Sequence, residues 1–373
     1  MKKLLTMTPL LLIACGEEGI ESTTSLSGVL SPDTIAIAIA DTIGVEFGDS
    51  TLVFGLVADA QYLPSGEIAV LDVMKACVQV FSPEGRETRR VGRRGAGPGE
   101  LQIPVSLAVL PGGGLAVNDL VGGKLVFYDP DGVVLDEVTG YFPAPPELLE
   151  ALDDTTLAAM FIRIEMGEDG ITGSIELGRF STDSEPELVY AEYPMSLDMP
   201  EGPGESRPDP EFDFACGLDG TVYLAERSDS MFVLKGFDCE GNLVLDVARE
   251  VDRVRIPEEE RGDEASISVM IGEDGAHAST EVHPDPAEFR TVVESIGVDA
   301  DGNIWLQIEN TGETHFRVLD PSGELLAVAL LSDPRALRDC HFSVNRYGML
   351  AFEPDPADWP KVYLLEDVET ATQ

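Results

Sequence analysis

A repeat of nearly fixed length constrains this chain more than any other feature. An apolar segment leads into a tight turn, a second apolar segment often ends in aspartate, a third has aromatic character, and a turn of the form Asp/Ser-x-x-Gly precedes a fourth. The first turn occurs at Pro64-Ser65-Gly66, Pro111-Gly112-Gly113, Asp153-Asp154, Asp219-Gly220, Asp301-Gly302 and Tyr347-Gly348. The second occurs at Ser82–Gly85, Asp129–Gly132, Ser181–Asp183, Asp238–Gly241 and Asp320–Gly323, and degenerates near Glu366-Asp367. Glycine supplies positive φ and Asp or Ser supplies side-chain turn bonds, so both turns close hairpins. Gly66 to Gly113 is 47 residues and Gly302 to Gly348 is 46, within the ~40–50 residues of a four-stranded propeller blade.

These units predict an all-β chain, a six-bladed β-propeller of four-stranded antiparallel blades over residues 30–370. The last unit supplies about three strands. The segment 30–54, through Thr34–Ile39 or Gly44–Phe47, is expected to add the fourth and close the ring, leaving no open sheet edge. Two insertions, 195–210 and 255–286, account for the two long intervals. The first is a Pro/Gly loop; within the second, 257–271 reads as a short acidic helix.

Residues 1–14 read as an export signal. Lys2 and Lys3 are followed by a short apolar run that ends Leu12-Ile13-Ala14-Cys15-Gly16. This resembles a bacterial lipobox, which implies lipidation of Cys15 and a flexible tether over 15–29. The implied location is the cell envelope, at the outer membrane facing the periplasm or at the cell surface, with membrane contact through the anchor alone. Acidic residues number 69 against 24 basic, a formal charge of −45. Nucleic acid is excluded as a partner, because phosphate binding needs a positive footprint. An exported chain can oxidise its cysteines. The repeat frame places Cys77 and Cys340 on one rim of neighbouring units, the preferred disulfide among three possible pairings.

The joint between the first two units is Gly92-Arg93-Arg94-Gly95-Ala96-Gly97-Pro98-Gly99-Glu100-Leu101, followed by Pro104. It resembles the NHL-type repeat, and with the lipobox the chain resembles bacterial six-bladed β-propeller lipoproteins. In such a ring this joint and both insertions share one rim, which loop decoration marks as the binding side. Arg93 and Arg94 there would meet an anionic ligand or salt-link to a neighbouring acidic loop.

Counting back seven residues from the first-turn glycine gives Asp59, Ser106, Asp213, Ser295 and His341; the third unit falls near Glu147 or Leu148. Two residues further on stand Gln61, Ala108, Ala215, Gly297 and Ser343, mostly small, as expected where inner strands crowd an axis. The polar set supports two readings. Asp59, Asp213, Glu294 and His341 have the donors to hold Ca²⁺ or another divalent cation, or they bond strand ends and channel water as buried polar groups must. Ser106 and Ser295 would line the same ligand-binding rim.

Two functions follow. One is a binding or scaffold module for a protein, peptide or glycan, which needs no catalytic group. The other is a divalent-metal hydrolase that resembles the six-bladed lactonases, its ion at the channel mouth. The first accords better with the sequence, which contains no G-x-S-x-G and no H-E-x-x-H.

Overall fold

The computed structural model describes residues 33–141, 143–167, 170–181, 183–195, 212–258, 264–272, 275–283, 288–309, 314–338, 340–353 and 359–368. Among them there is no α-helix. Four antiparallel four-stranded sheets follow one another along the chain. The first comprises β2 (Val57–Tyr62), β3 (Ile68–Asp72), β4 (Cys77–Phe81) and β5 (Glu87–Val91). The second comprises β6 (Pro104–Val109), β7 (Leu115–Asp119), β8 (Lys124–Tyr128) and β9 (Val134–Thr139). β10 (Leu149–Ala151), β11 (Leu157–Gly167), β12 (Gly170–Phe180) and β13 (Leu188–Met195) form the third. β14 (Phe212–Cys216), β15 (Val222–Glu226), β16 (Met231–Phe237) and β17 (Leu243–Glu250) form the fourth.

A larger sheet holds the remainder of the repeat. Its strands are β1 (Asp33–Ile43), β20 (Val293–Val298), β21 (Ile304–Ile308), β22 (His315–Leu319), β23 (Leu325–Leu331), β24 (His341–Asn345), β25 (Gly348–Phe352) and β26 (Val362–Val368). The order is β20-β21-β22-β23-β1-β26-β25-β24. β1 pairs antiparallel with β26 (Ile37 opposite Asp367) and parallel with β23 (Asp33 opposite Ala327). The N-terminal segment thus covers the edges of both neighbours. The whole is a propeller-like arrangement of four-stranded units, with β1 joining the last two groups into one sheet.

Strand position explains strand composition. Second and third strands such as β3, β4, β7 and β8 are buried at every residue, so they read as continuous apolar runs rather than alternating ones. Outer strands such as β5 and β17 carry exposed charges, which discourage pairing with another chain. Six apolar clusters fill the spaces between successive groups of strands. Val80 and Tyr128 belong to the cluster between the first two sheets, and Phe81 and Phe352 to the one between the first and the last groups. Phe316 on β22 and Phe342 on β24 meet edge-on at 5.1 Å although both belong to the eight-stranded sheet, so its two halves face each other. First strands touch in the order β2, β6, β10, β14, β20, β24 and back to β2.

The second turns behave as a set. The Asp129 carboxylate accepts the Asp131 and Val133 amides, and that of Asp320 accepts those of Ser322 and Glu324. Gly132 and Gly323 follow with φ of +82° and +86°, a region that glycine enters without strain. Gly323 lies against Leu245 and Val247, on the outer strand of the preceding sheet.

Four expectations need correction or relocation. The expected acidic helix over 257–271 is not found among its described residues; β18 (Glu264–Gly272) and β19 (Gly275–His283) form an antiparallel hairpin. Apolar residues alternate at 265, 267, 269 and 271 with serines at 266 and 268, a period of two rather than 3.6. Glu366 and Asp367 lie within β26 and are not a turn remnant. The loop 195–210 lies, beyond its first residue, outside the described residues. Cys77, Cys216, Cys239 and Cys340 form no disulfide. Cys77 opens β4 among charged neighbours, opposite Asp72, whereas Cys340 packs in an apolar cluster with Leu337, Phe316 and Tyr363.

Candidate functional site

The six first strands surround a cavity of about 200 Å³. Into it they bring Asp59 from β2, Ser106 from β6, Asp213 from β14, Glu294 and Ser295 from β20, and His341 from β24. The five positions counted from a first-turn glycine therefore reach one place; in the third unit Leu148 lines the cavity and Glu147 does not. A second cavity of about 30 Å³ is lined by Glu150, Cys216 and Arg346 among others; Gln61, Glu150 and Val344 line both spaces.

Most of these polar groups tie one first strand to the next. Asp59 accepts the Leu107 amide on β6 at 3.1 Å, and the Gln61 amide group donates to the Leu107 carbonyl at 2.9 Å. Ser106 donates to the Glu147 carbonyl at 2.9 Å. Asp213 accepts the amide of Ile296 on β20 at 3.0 Å, and Asn345 donates to the Tyr62 carbonyl at 3.0 Å. Ser295 donates to Gln307 at 2.8 Å. All but the last of these bonds satisfy backbone groups that the strands, diverging around an axis, leave unpaired.

The electrostatics of the cavity are those of carboxylates with too little solvent. Burial pushes Asp59 up to about 7, against the opposing pull of the Leu107 amide. Burial, reinforced by the charges of Asp213 and Asp59, pushes Glu150 up to about 8, and Arg346 opposes the rise. Asp213 is raised by burial despite Arg227 and two amide donors. Desolvation by the surrounding protein also lowers His341, although the residue is exposed; its ring meets Phe352 edge-on at 5.7 Å. Arg227 stands 3.6 Å from Glu294, and its buried Nε has no hydrogen-bond partner.

The set expected to hold a cation shares the cavity but does not converge. Among the described residues no group of three or more His, Cys, Asp or Glu side chains is disposed to hold a metal ion. Arg93 and Arg94 stand apart from the cavity. Arg93 pairs with Glu100 at 2.8 Å and Arg94 donates to the Met74 carbonyl at 2.9 Å. The glycine joint is folded on itself: Leu101 is fully buried and bonds the Arg93 carbonyl, while Gly97 and Gly99 donate to Glu100 and Glu137.

Glu150, Arg227 and Gln307 are cavity residues that sequence reading missed. A signal for Glu150 exists. The Leu152 amide bonds the Thr156 carbonyl as the Leu63 amide bonds that of Glu67. Aligning those turns makes Leu148 the counterpart of Asp59 and Glu150 the counterpart of Gln61. The Asp153-Asp154 turn lacks the glycine that fixed the frame elsewhere.

No protein-family model matches the chain, and no curated protein matches it. Solved structures similar to it include a member of the DUF4221 family from Bacteroides vulgatus (10% identity, 91% of this chain and 99% of that one, TM-score 0.49). Others are an aldose sugar dehydrogenase in its PQQ-bound form from Streptomyces coelicolor (13%, 91% and 100%, 0.43) and virginiamycin B lyase from Staphylococcus aureus (13%, 89% and 89%, 0.40). The propeller-like arrangement itself rests on the strand order and the ring of first-strand contacts.

Proposed function

We propose that this chain is a lipid-anchored, extracytoplasmic binding module built on a six-bladed β-propeller, with its ligand site at the mouth of the axial cavity. The six-blade reading treats β20–β23 as one blade and β24–β26 with β1 as another, hydrogen-bonded to each other through the β1–β23 pair. The ring order of first strands and the cluster between the two halves of that sheet support it. Anchoring rests on the lipobox around Cys15, and family membership on the NHL-like joint at 92–104.

One observation carries binding over catalysis. Asp59 and Asp213, the carboxylates nearest to a catalytic arrangement, accept backbone amides of the next first strand. A carboxylate fixed in that way stabilises the ring and is poorly placed to abstract a proton or turn toward a reacting carbonyl. The hydrolase reading keeps one favourable observation, the presence of Asp59, Asp213, Glu294 and His341 in a single cavity.

The test uses the full lipidated chain in phosphatidylcholine vesicles, screened against peptide and glycan arrays and against ester and lactone substrates. Binding reads out as retention of a defined peptide or glycan that a bulky substitution at the mouth, Ser295→Trp, weakens. Absence of any retention, or turnover abolished by Asp213→Asn and His341→Ala, overturns the proposal. Metabolic labelling with palmitate tests the anchor separately, since Cys15→Ser must lose the label.

A further inference from the structure

Beside the apolar cluster that joins the second and third sheets lies a cavity of about 120 Å³. It shares no lining residue with the axial cavity. β11 and β12 are 11 residues long, against five for β7 and β8. Along β11, Leu157, Ala159 and Phe161 belong to the cluster. Arg163 and Glu165 come next in the same alternation, so the apolar packing ends at Phe161. Tyr141, two residues past β9, packs against the same cluster.

Three aromatic rings meet at this place. Phe180 lies edge-on to Phe161 at 5.0 Å and to Tyr141 at 6.5 Å. All three, with Ala144 and Pro186, line the cavity. The Tyr141 hydroxyl is buried and has no hydrogen-bond partner. Burial alone acts on its ionisation and raises its pKa. Buried donors are nearly always paired, because an unpaired one forfeits its hydration without return. An acceptor that enters the cavity is the partner Tyr141 lacks.

Size and charge narrow the choice of ligand. An apolar cavity of ~150 Å³ holds one benzene ring, whereas drug-sized ligands occupy about 300–1,000 Å³. A volume of about 120 Å³ therefore suits a single six-membered ring. Such a ring extends the edge-to-face cluster that the protein already builds. A water molecule needs about two to four polar partners. Of the polar side chains at the cavity, Arg163 is already held by Glu176 at 2.8 Å and Glu185 at 3.5 Å. With Arg163 so paired, and a formal charge of −45 on the chain, an anionic ring such as benzoate is disfavoured.

We propose that this cavity is a second binding site, for a neutral phenol whose oxygen accepts the Tyr141 hydroxyl hydrogen and whose ring packs against Phe161 and Phe180. The site is separate from the axial one and does not depend on what binds there. Two sources share the chemistry: a free phenol, and the tyrosine side chain of a peptide.

The test is isothermal titration of the full chain with phenol, with benzene as the ring that lacks an acceptor oxygen, and with N-acetyl-tyrosinamide. Stoichiometric phenol binding is expected, with benzene weaker by about fivefold or more, the ratio that one hydrogen bond confers. Tyr141→Phe should reduce phenol to the affinity of benzene and leave benzene unchanged. Without ligand, the same variant should melt no lower than the native protein, since the hydroxyl it removes bonds nothing. Ala144→Leu fills the cavity and should abolish binding of both rings, with circular dichroism retained. N-acetyl-tyrosinamide binding tighter than phenol identifies a peptide side chain as the source, and weaker binding a free phenol. Four results overturn the proposal: no phenol binding at 10 mM, equal affinity for phenol and benzene, equal phenol affinity in Tyr141→Phe and the native protein, or a lowered melting temperature of unliganded Tyr141→Phe, which would show that the hydroxyl already bonds water.

Discussion

Asp213 accepts the backbone amide of Ile296 at 3.0 Å, which joins the first strand of one sheet to the first strand of the next. The Asp59–Leu107 bond repeats the same relationship between the first two sheets. These carboxylates thus stand at the axis because the ring is made there, and the cavity between them is acidic as a consequence.

The channel carboxyls give stability a pH dependence of definite sign. Asp59 and Glu150 have folded pKa values raised to about 7 and about 8, above those of the unfolded chain. Their contribution is fully present below about pH 4 and is lost as pH rises through 7 and 8. Glu150→Gln should therefore raise the melting temperature at pH 8.5, by on the order of 2 kcal/mol in stability, and leave it nearly unchanged at pH 5. Thermal melts of both proteins across this range check the difference, which cancels the repulsion common to both. An equal effect at both pH values would contradict the assignment.

Asp72 has a purely structural role that mutation should expose. It is fully buried and accepts the amides of Gly55 at 2.9 Å and Lys75 at 3.0 Å. Asp72→Ala leaves those amides without an acceptor and should cost about 3 kcal/mol, measured by urea denaturation. Asp119→Ala, which removes the acceptor of Gln102 and Ile103, should cost a similar amount.

The glycine joint is limited sterically as well as conformationally. Gly99 has φ +67°, and a Cβ there would meet Val134 Cγ2 at 2.2 Å. Gly99→Ala should destabilise by about 2–3 kcal/mol, from the left-handed backbone and the clash together. Adding Val134→Ala should recover the clash and leave a residue of about 1 kcal/mol. Urea denaturation of the single and double variants separates the two contributions.

β1 holds the two halves of the eight-stranded sheet together, and Ile37 is its most buried residue, at 1% exposure. Ile37→Ala should cost about 3 kcal/mol. Deletion of 33–43 uncovers the edges of β23 and β26, and the product should elute from size exclusion as oligomers. A monomer of unchanged melting temperature would show that β1 is dispensable.

The architecture was legible because its turns carry glycine. Gly66, Gly113, Gly220 and Gly302 set a frame that placed Asp59, Ser106, Asp213 and Ser295 in one cavity. Glu150 was hidden because Asp153-Asp154 makes the corresponding turn from side-chain bonds, the Asp153 carboxylate accepting the amides of Thr155 and Thr156. The β18–β19 hairpin was obscured by the acidic run before it, which has helical composition but lacks a helical period. Gln307 lies on a second strand and Arg227 just past the end of one, at positions that no count along a first strand reaches. Metal ligation was an inference from register and residue type, and the backbone amides facing Asp59 and Asp213 are a property of neighbouring strands that sequence does not display.

The ring of first strands closed by β1 is the central claim, and a crystal structure of the full chain tests it most directly. It should show six four-stranded blades, with β1 between β23 and β26 and the carboxylates of Asp59 and Asp213 within about 3 Å of the Leu107 and Ile296 amides. A different number of blades, or a metal ion coordinated by Asp59, Asp213 and His341, would contradict it.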